Sequence, residues 1–300
     1  MASITANGIS LEYDRFGSDE DEPVLLIMGL GAQMTLWPIE FCEALVERGF
    51  HVIRYDNRDI GLSTKFDSAG VPDIAALMMA SFMGKQPQAA YNLDDMAADA
   101  VGLLDALNIP RAHIVGASMG GMIAQLVAAT YPDRTLSLTS IMSTTGNPAV
   151  PPARPEIMGV LTNRPAGNDP AEITAFMANA ARMIGSPAYP ADEARLRARV
   201  RADFERSYSP AGYLRQMAAI IASGDRRPKL AAITAPTLVI HGDADPLVPV
   251  EGGRDTADTI SGATLKIIAG MGHDLPLQLV NEIADAIRAV ALQSRVAMPS

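Results

Sequence analysis

Near the middle of the chain, Gly116-Ala117-Ser118-Met119-Gly120 sets a serine between two glycines at a spacing that suits nucleophilic chemistry. The motif falls between an apolar run over 112–115, which reads as a strand, and a helical pattern over 119–131. A chain that must reverse from strand to helix in so few residues puts Ser118 on a strained tip. Small residues at 116 and 120 keep that turn free of clashes. The hydroxyl then projects above the carboxyl ends of the strands. The Met119 N–H, at the helix start, points at charge developing on an attacked carbonyl oxygen.

Such a serine needs a base, and the chain has four histidines. His51 and His113 precede the serine and sit within or beside predicted strands, where packed structural histidines are ordinary. His241 closes the apolar run over 237–241, ahead of any available carboxylate loop. His273 stands in Gly270-Met271-Gly272-His273-Asp274, between a strand over 264–268 and the last helix. A glycine-flanked loop there can carry an imidazole over the serine. The carboxylate that would orient the imidazole comes from His241-Gly242-Asp243-Ala244-Asp245-Pro246, just past a strand end. Asp243 and Asp245 both qualify. Pro246 fixes the turn after Asp245, whereas Asp243 suits a turn former that holds the loop with its side chain.

Bringing residues 118, 245 and 273 together requires a particular order of elements. A short continuous apolar run over 24–28 suits a strand buried on both faces, and runs over 112–115 and 237–241 read as strands. Runs over 51–55, 136–142 and 264–268 add further strands, and alternation over 9–13 suggests a hairpin strand. Helical patterns cover 41–48 (closed by Gly49), 93–107 (capped by Asn92), 119–131, 250–260 and 276–292. This alternation predicts an α/β fold with a mostly parallel central sheet and helices on both faces. Over 143–228 the rhythm breaks. Prolines recur there, and only helical stretches are visible (171–184, 192–206 and 210–223). The prediction is a core domain of residues 1–142 and 229–300 with a helical insertion, 143–228, at the sheet's edge.

The chain has 300 residues, 48% of them hydrophobic, ample for a large core. Its formal net charge of −10 would repel nucleic acid and anionic membrane surfaces. No run of about 18 apolar residues and no basic segment leading into an apolar one is found, so neither a membrane span nor a signal peptide is expected. The single Cys42 reads as a small core residue, and its lack of a disulfide partner fits the cytoplasm. No C-x-x-C or H-E-x-x-H pattern occurs, and no metal or organic cofactor is expected. Association into a homo-oligomer is left open.

With these residues in place, the sequence resembles the α/β-hydrolase fold family, whose serine, acid and histidine follow one another in the order Ser118, Asp245, His273. The resemblance spans nearly the whole chain apart from the insertion, which it marks as a helical cap. Met28-Gly29-Leu30-Gly31 resembles the family's oxyanion loop, with Met28 where histidine is usual. By position this implies Leu30 N–H as the second oxyanion donor beside Met119. Asp56-Asn57-Arg58-Asp59-Ile60-Gly61-Leu62-Ser63 is similar to the family's D-x-R-G-x-G-x-S turn, with Asp59 where glycine is usual. That turn reads as architectural, with Arg58 bonding loops. Within the family, the wording of these loops is similar to bacterial serine esterases of the aclacinomycin methylesterase and monoalkyl phthalate hydrolase kinds. Dehalogenases and epoxide hydrolases of this fold use an aspartate nucleophile, which Ser118 argues against. Cofactor-free haloperoxidases share the triad.

The expected activity is hydrolysis of a small to medium, mainly apolar carboxylic ester through an acyl-enzyme on Ser118, with His273 as base and acid and Asp245 orienting it. A lactone, thioester or carbon–carbon bond hydrolase, or a ligand receptor of low turnover, would keep the same triad. Substrate contacts are expected from Trp37, Met83, Met142 and Met271, with the 78–83 segment as a loop near the site. Arg195, Arg197, Arg199 and Arg201 read as the solvated face of a helix, or as an attraction for an anionic substrate.

Overall fold

In the computed structural model, residues 1–162, 165 and 169–296 are described. The strands are β1 (Ala2–Ala6), β2 (Ile9–Phe16), β3 (Glu22–Ile27), β4 (Phe50–Tyr55), β5 (Ala112–Ala117), β6 (Thr135–Ile141), β7 (Thr237–Gly242) and β8 (Thr264–Ile268). They form one eight-stranded sheet in the order β1-β2-β4-β3-β5-β6-β7-β8. Only the β1–β2 and β2–β4 pairs are antiparallel. The continuous apolar runs fall where the sheet is covered twice. Within β3, Val24 and Leu26 enter the core on one face and Leu25 and Ile27 the core on the other, as a strand buried on both sides requires.

Between the strands run α1 (Ile39–Val46), α2 (Ile74–Phe82), α3 (Leu93–Ala106) and α4 (Met119–Thr130). From β6 to β7 the chain forms α5 (Pro155–Thr162), α6 (Pro170–Ile184), α7 (Glu193–Arg206), α8 (Pro210–Ser223) and the short α9 (Arg227–Leu230). It closes with α10 (Val250–Thr259), β8 and α11 (Val280–Val296). Helices α3 and α4 cover one face, and α1 packs on α11 across the other. The starts of α2, α3, α6 and α7 are capped by side chains. Asn92 accepts from Asp94 N and Asp95 N while Asp95 accepts from Asn92 N, a reciprocal box worth about 1 kcal/mol. Gly49, φ 77°, ends the α1 region in the left-handed conformation.

Four elements are absent from the sequence reading. β1 is a largely exposed edge strand that pairs with β2 from Ala2↔Tyr13 to Ala6↔Ile9; half-polar and short, it has no apolar signal. The 78–83 segment is helix α2 and its end rather than a loop. None of its residues is buried, so it lacks the one-sided pattern that marks a helix. α5 and α9 are short helices in proline-rich sequence. Among the described residues no helix is long and apolar enough to cross a membrane.

Candidate active site

β5 ends at Ala117 and α4 begins at Met119, so the whole reversal falls on Ser118, at φ 56° and ψ −122°. Holding a non-glycine residue there costs about 1–3 kcal/mol. The flanking glycines are forced by close approach. A Cβ on Gly116 would lie 2.0 Å from Gly120 O, and one on Gly120 would lie 2.0 Å from Ile27 O. Ser118 N donates to Ile141 O over 2.9 Å, and its carbonyl accepts from Ser143 Oγ over 2.8 Å. The turn is thereby tied to the end of β6. β4 and β5 flank β3 on opposite sides, so the strand order reverses here and leaves a crevice beyond the carboxyl ends of the strands. Across it, Gly29 backs onto the serine; a Cβ on Gly29 would sit 3.5 Å from Ser118 Oγ.

Asp245 lies past the end of β7, buried, with Oδ1 accepting from Leu247 N (2.9 Å) and Val248 N (2.8 Å). Its Oδ2 is 2.7 Å from His273 Nδ1. Burial pushes the Asp245 carboxyl up, but the His273 charge, the His241 and His273 imidazoles and the Val248 N–H outweigh it and hold the carboxyl well below its usual range. An ionised Asp245 accepts from Nδ1, which leaves His273 Nε2 as the nitrogen able to take a proton. Asp243 is not in this arrangement. Its Oδ1 accepts from Gly270 N over 2.7 Å and holds the turn that carries His273. His241 lies beneath the site, donating Nε2–H to Val248 O over 2.8 Å. His51 and His113 are buried elsewhere, beside Asp19 and Ser137.

The helical segment between β6 and β7 also grips the histidine loop. His273 N donates to Ile184 O over 2.7 Å, and Gly272 N donates to Ser186 Oγ over 2.8 Å. Ser186 Oγ in turn donates to Asp274, whose carboxyl is raised by burial. These partners were invisible in sequence because Ile184 acts through a carbonyl and Ser186 is an ordinary serine after a helix.

Ser118 and His273 line one cavity of about 1640 Å³ together with Leu30, Met119 and Met142. The N–H groups of Leu30 and Met119 have no protein acceptor among the described residues, and Met119 is the first residue of α4. Three of the expected contacts lie elsewhere. Trp37 is fully buried and stacks on Phe41 at 5.3 Å between ring centroids; the sole tryptophan is core, as a large apolar ring beside a helix start favours. Met271 is likewise fully buried in the core. Met83 is 59% exposed at the end of α2. The methionines that do line the cavity with Met142 are Met28, Met119, Met122, Met177 and Met183. Of the four arginines over 195–201 in α7, Arg195, Arg197 and Arg201 pair with Glu40, Glu193 and Glu205. Arg199 faces the cavity, and its buried Nε has no acceptor among the described residues.

The Asp56–Ser63 turn holds the strand ends together. Arg58 forms a two-point ion pair with Asp99, at 2.6 and 2.7 Å. Asp56 accepts from Met34 N and Leu62 N, and Asn57 Nδ2 donates to Met28 O over 2.8 Å. Gly61 is required because a Cβ there would enter the Asp56 carboxylate.

Sheet order, serine elbow and buried Asp–His pair together define a class: the chain belongs to the α/β-hydrolase fold family, whose profile matches residues 22–278. Its relatives include the rhodomycin D methylesterase DauP of Streptomyces sp. strain C5, 33% identical over 95% of this chain and 96% of that protein. DnrP of Streptomyces peucetius, also a rhodomycin D methylesterase, is 32% identical over the same shares. The similarity to methylesterases seen in the loop motifs thus extends along the chain. Among solved structures, the enol-lactonase of Burkholderia xenovorans superposes with a TM-score of 0.69 at 24% identity, covering 98% of this chain and 100% of that one; this likeness bears on the fold.

Proposed function

We propose that the chain is a serine carboxylesterase in which Ser118 is the nucleophile, His273 the general base and acid, and Asp245 the residue that orients the imidazole. The observation that carries this reading is the pairing of a strained serine at a strand–helix elbow with a histidine on the same cavity, itself 2.7 Å from a buried carboxylate. His273 Nε2 takes the Ser118 proton as Oγ attacks the ester carbonyl. The Leu30 and Met119 N–H groups receive the oxyanion. His273 returns the proton to the leaving alcohol, and water then repeats the cycle on the acyl-enzyme. None of these steps calls for a metal or organic cofactor.

The substrate is a small-molecule ester with a mainly apolar acyl part, received by a methionine-rich pocket that can adapt its shape. Similarity to two methylesterases supports a methyl or other short alcohol portion. Residues 143–228 serve as the cap over this pocket. A cytoplasmic enzyme fits a lone buried thiol. Lactone, thioester or carbon–carbon cleavage would use the same groups. The test is hydrolysis of p-nitrophenyl butyrate and of methyl esters of aromatic acids by the purified protein, with mass spectrometry after an organophosphate. Ester turnover with a single adduct on Ser118 supports the reading. Tight ligand binding without turnover, or an adduct elsewhere, overturns it.

A further inference from the structure

Helix α8 reaches the oxyanion loop through one buried amide. Gln216, fully buried, accepts from Gly31 N with Oε1 over 2.9 Å and donates Nε2–H to Arg58 O over 2.8 Å. One turn earlier, Tyr213 packs so tightly on Gly31 that a Cβ there would lie 2.4 Å from Tyr213 Cδ2. On the other side of the loop, Asn57 Nδ2 holds Met28 O. The peptide that carries the Leu30 N–H lies between these two anchored peptides. Its own carbonyl, Gly29 O, accepts from Ala32 N over 3.2 Å. Among the described residues no peptide bond is cis. In a trans peptide the N–H points opposite to the C=O, so the Leu30 N–H is turned away from Ala32, on the loop that backs onto Ser118.

We propose that Gln216 is a positioning residue for the esterase reaction: it fixes the oxyanion loop from the cap, so that the hole is complete only when α8 is seated. The inference rests on the esterase reading, with Leu30 as an oxyanion donor. Met28, where the family usually has histidine, has no N–H or O–H of its own in its side chain to hydrogen-bond the loop. Asn57 from the core and Gln216 from the insertion supply the bracing instead. Each amide gives a backbone group of this loop or of the Asp56–Ser63 turn its hydrogen-bond partner. Gln216 touches no reacting atom, and its effect is confined to where the Leu30 N–H sits when charge develops.

The variant Gln216→Met keeps the length of the side chain and removes both hydrogen bonds. It is expected to lower kcat about 10- to 100-fold, part of the loss seen when an oxyanion donor is removed outright, with KM within about twofold. Affinity for a phenylboronic acid, which mimics the tetrahedral species, should fall in step with kcat. Full kcat with unchanged boronate affinity, or a loss confined to KM, would overturn the proposal. Should Gln216→Met not fold, amide exchange in the wild-type protein decides. Gly31 N–H is expected to be protected and Leu30 N–H to become protected only with boronate bound; equal exchange at both, unaffected by boronate, contradicts it. A wild-type protein that neither cleaves esters nor binds boronate would instead defeat the esterase reading.

Discussion

Asp59 and Arg215 meet through two hydrogen bonds, 2.6 and 2.9 Å long, that join the Asp56–Ser63 turn to α8. Asp59 stands at φ 74°, a conformation that favours glycine. It is kept there by what it binds: Arg215, the Phe66 N–H at 2.8 Å and the Tyr91 hydroxyl at 2.6 Å. Gly212 lets the helix come close enough, since a Cβ on it would lie 2.2 Å from Asp59 O. Removing Asp59 leaves the buried Arg215 guanidinium with only the exposed Asp67 carboxylate and Gly70 O. Asp59→Ala is therefore expected to cost about 3–5 kcal/mol in urea unfolding. Asp59→Gly relieves the backbone and should lose about 1 kcal/mol less than the alanine variant. Equal stability of wild type and Asp59→Ala would show that the pair contributes nothing.

Activity tests separate the members of the proposed triad. Ser118→Ala is expected to lower ester turnover by about 10⁶. Asp245→Asn keeps the shape but favours the wrong imidazole tautomer and should cost about 10⁴. Asp243→Asn touches only the Gly270 turn and should stay within about tenfold of wild type, far from the loss at Asp245. Initial rates with p-nitrophenyl butyrate read all three. A larger loss at Asp243 than at Asp245 would exchange their roles.

Two side chains lie too deep to report on the pocket or to react. Trp37, the sole tryptophan, is fully buried and outside the cavity lining. Its fluorescence is expected to change by less than about a tenth when a boronic acid fills the site, because burial already shields it from solvent and ligand alike. Burial also pushes the Cys42 thiol up to about 12, against the nearby Arg54 charge. A dithiobis reagent at pH 8 should label Cys42 only after unfolding. Rapid labelling of the native enzyme would refute that burial.

Much of the frame was legible in the residues because the signals are local. Continuous apolar runs mark β3, β5 and β7, and Gly116, Ser118 and Gly120 mark the elbow between β5 and α4. The proposed acid, Asp245, carries a local mark too: Pro246 follows it in the turn where its carboxylate receives Leu247 N and Val248 N. What stayed hidden depends on long-range docking. Gln216 meets a residue 185 positions away and Arg215 one 156 away, and no periodicity announces such partners. Trp37 and Met271 misled because residue type alone does not tell a pocket wall from a core. The exposed helix α2 gave no signal because apolar residues on every side erase the stripe that marks amphipathic packing.

The Asp245 carboxyl gives the fold a dependence on pH with a definite sign. Burial raises it, yet the His273 charge and the hydrogen bonds around it bring it below its ordinary value. A carboxyl that is more acidic in the folded state binds fewer protons there than in the unfolded chain. Its stabilising contribution is then fully present above the unfolded value of about 4 and fades as pH falls toward the native one. Asp245→Asn lacks this contribution at every pH. The stability gap between wild type and variant, from urea unfolding at pH 7, 5, 4 and 3, should hold constant down to about 5 and then narrow. A gap that widens on acidification would mean that the native carboxyl is less acidic than the unfolded one, and that His273 does not hold it ionised.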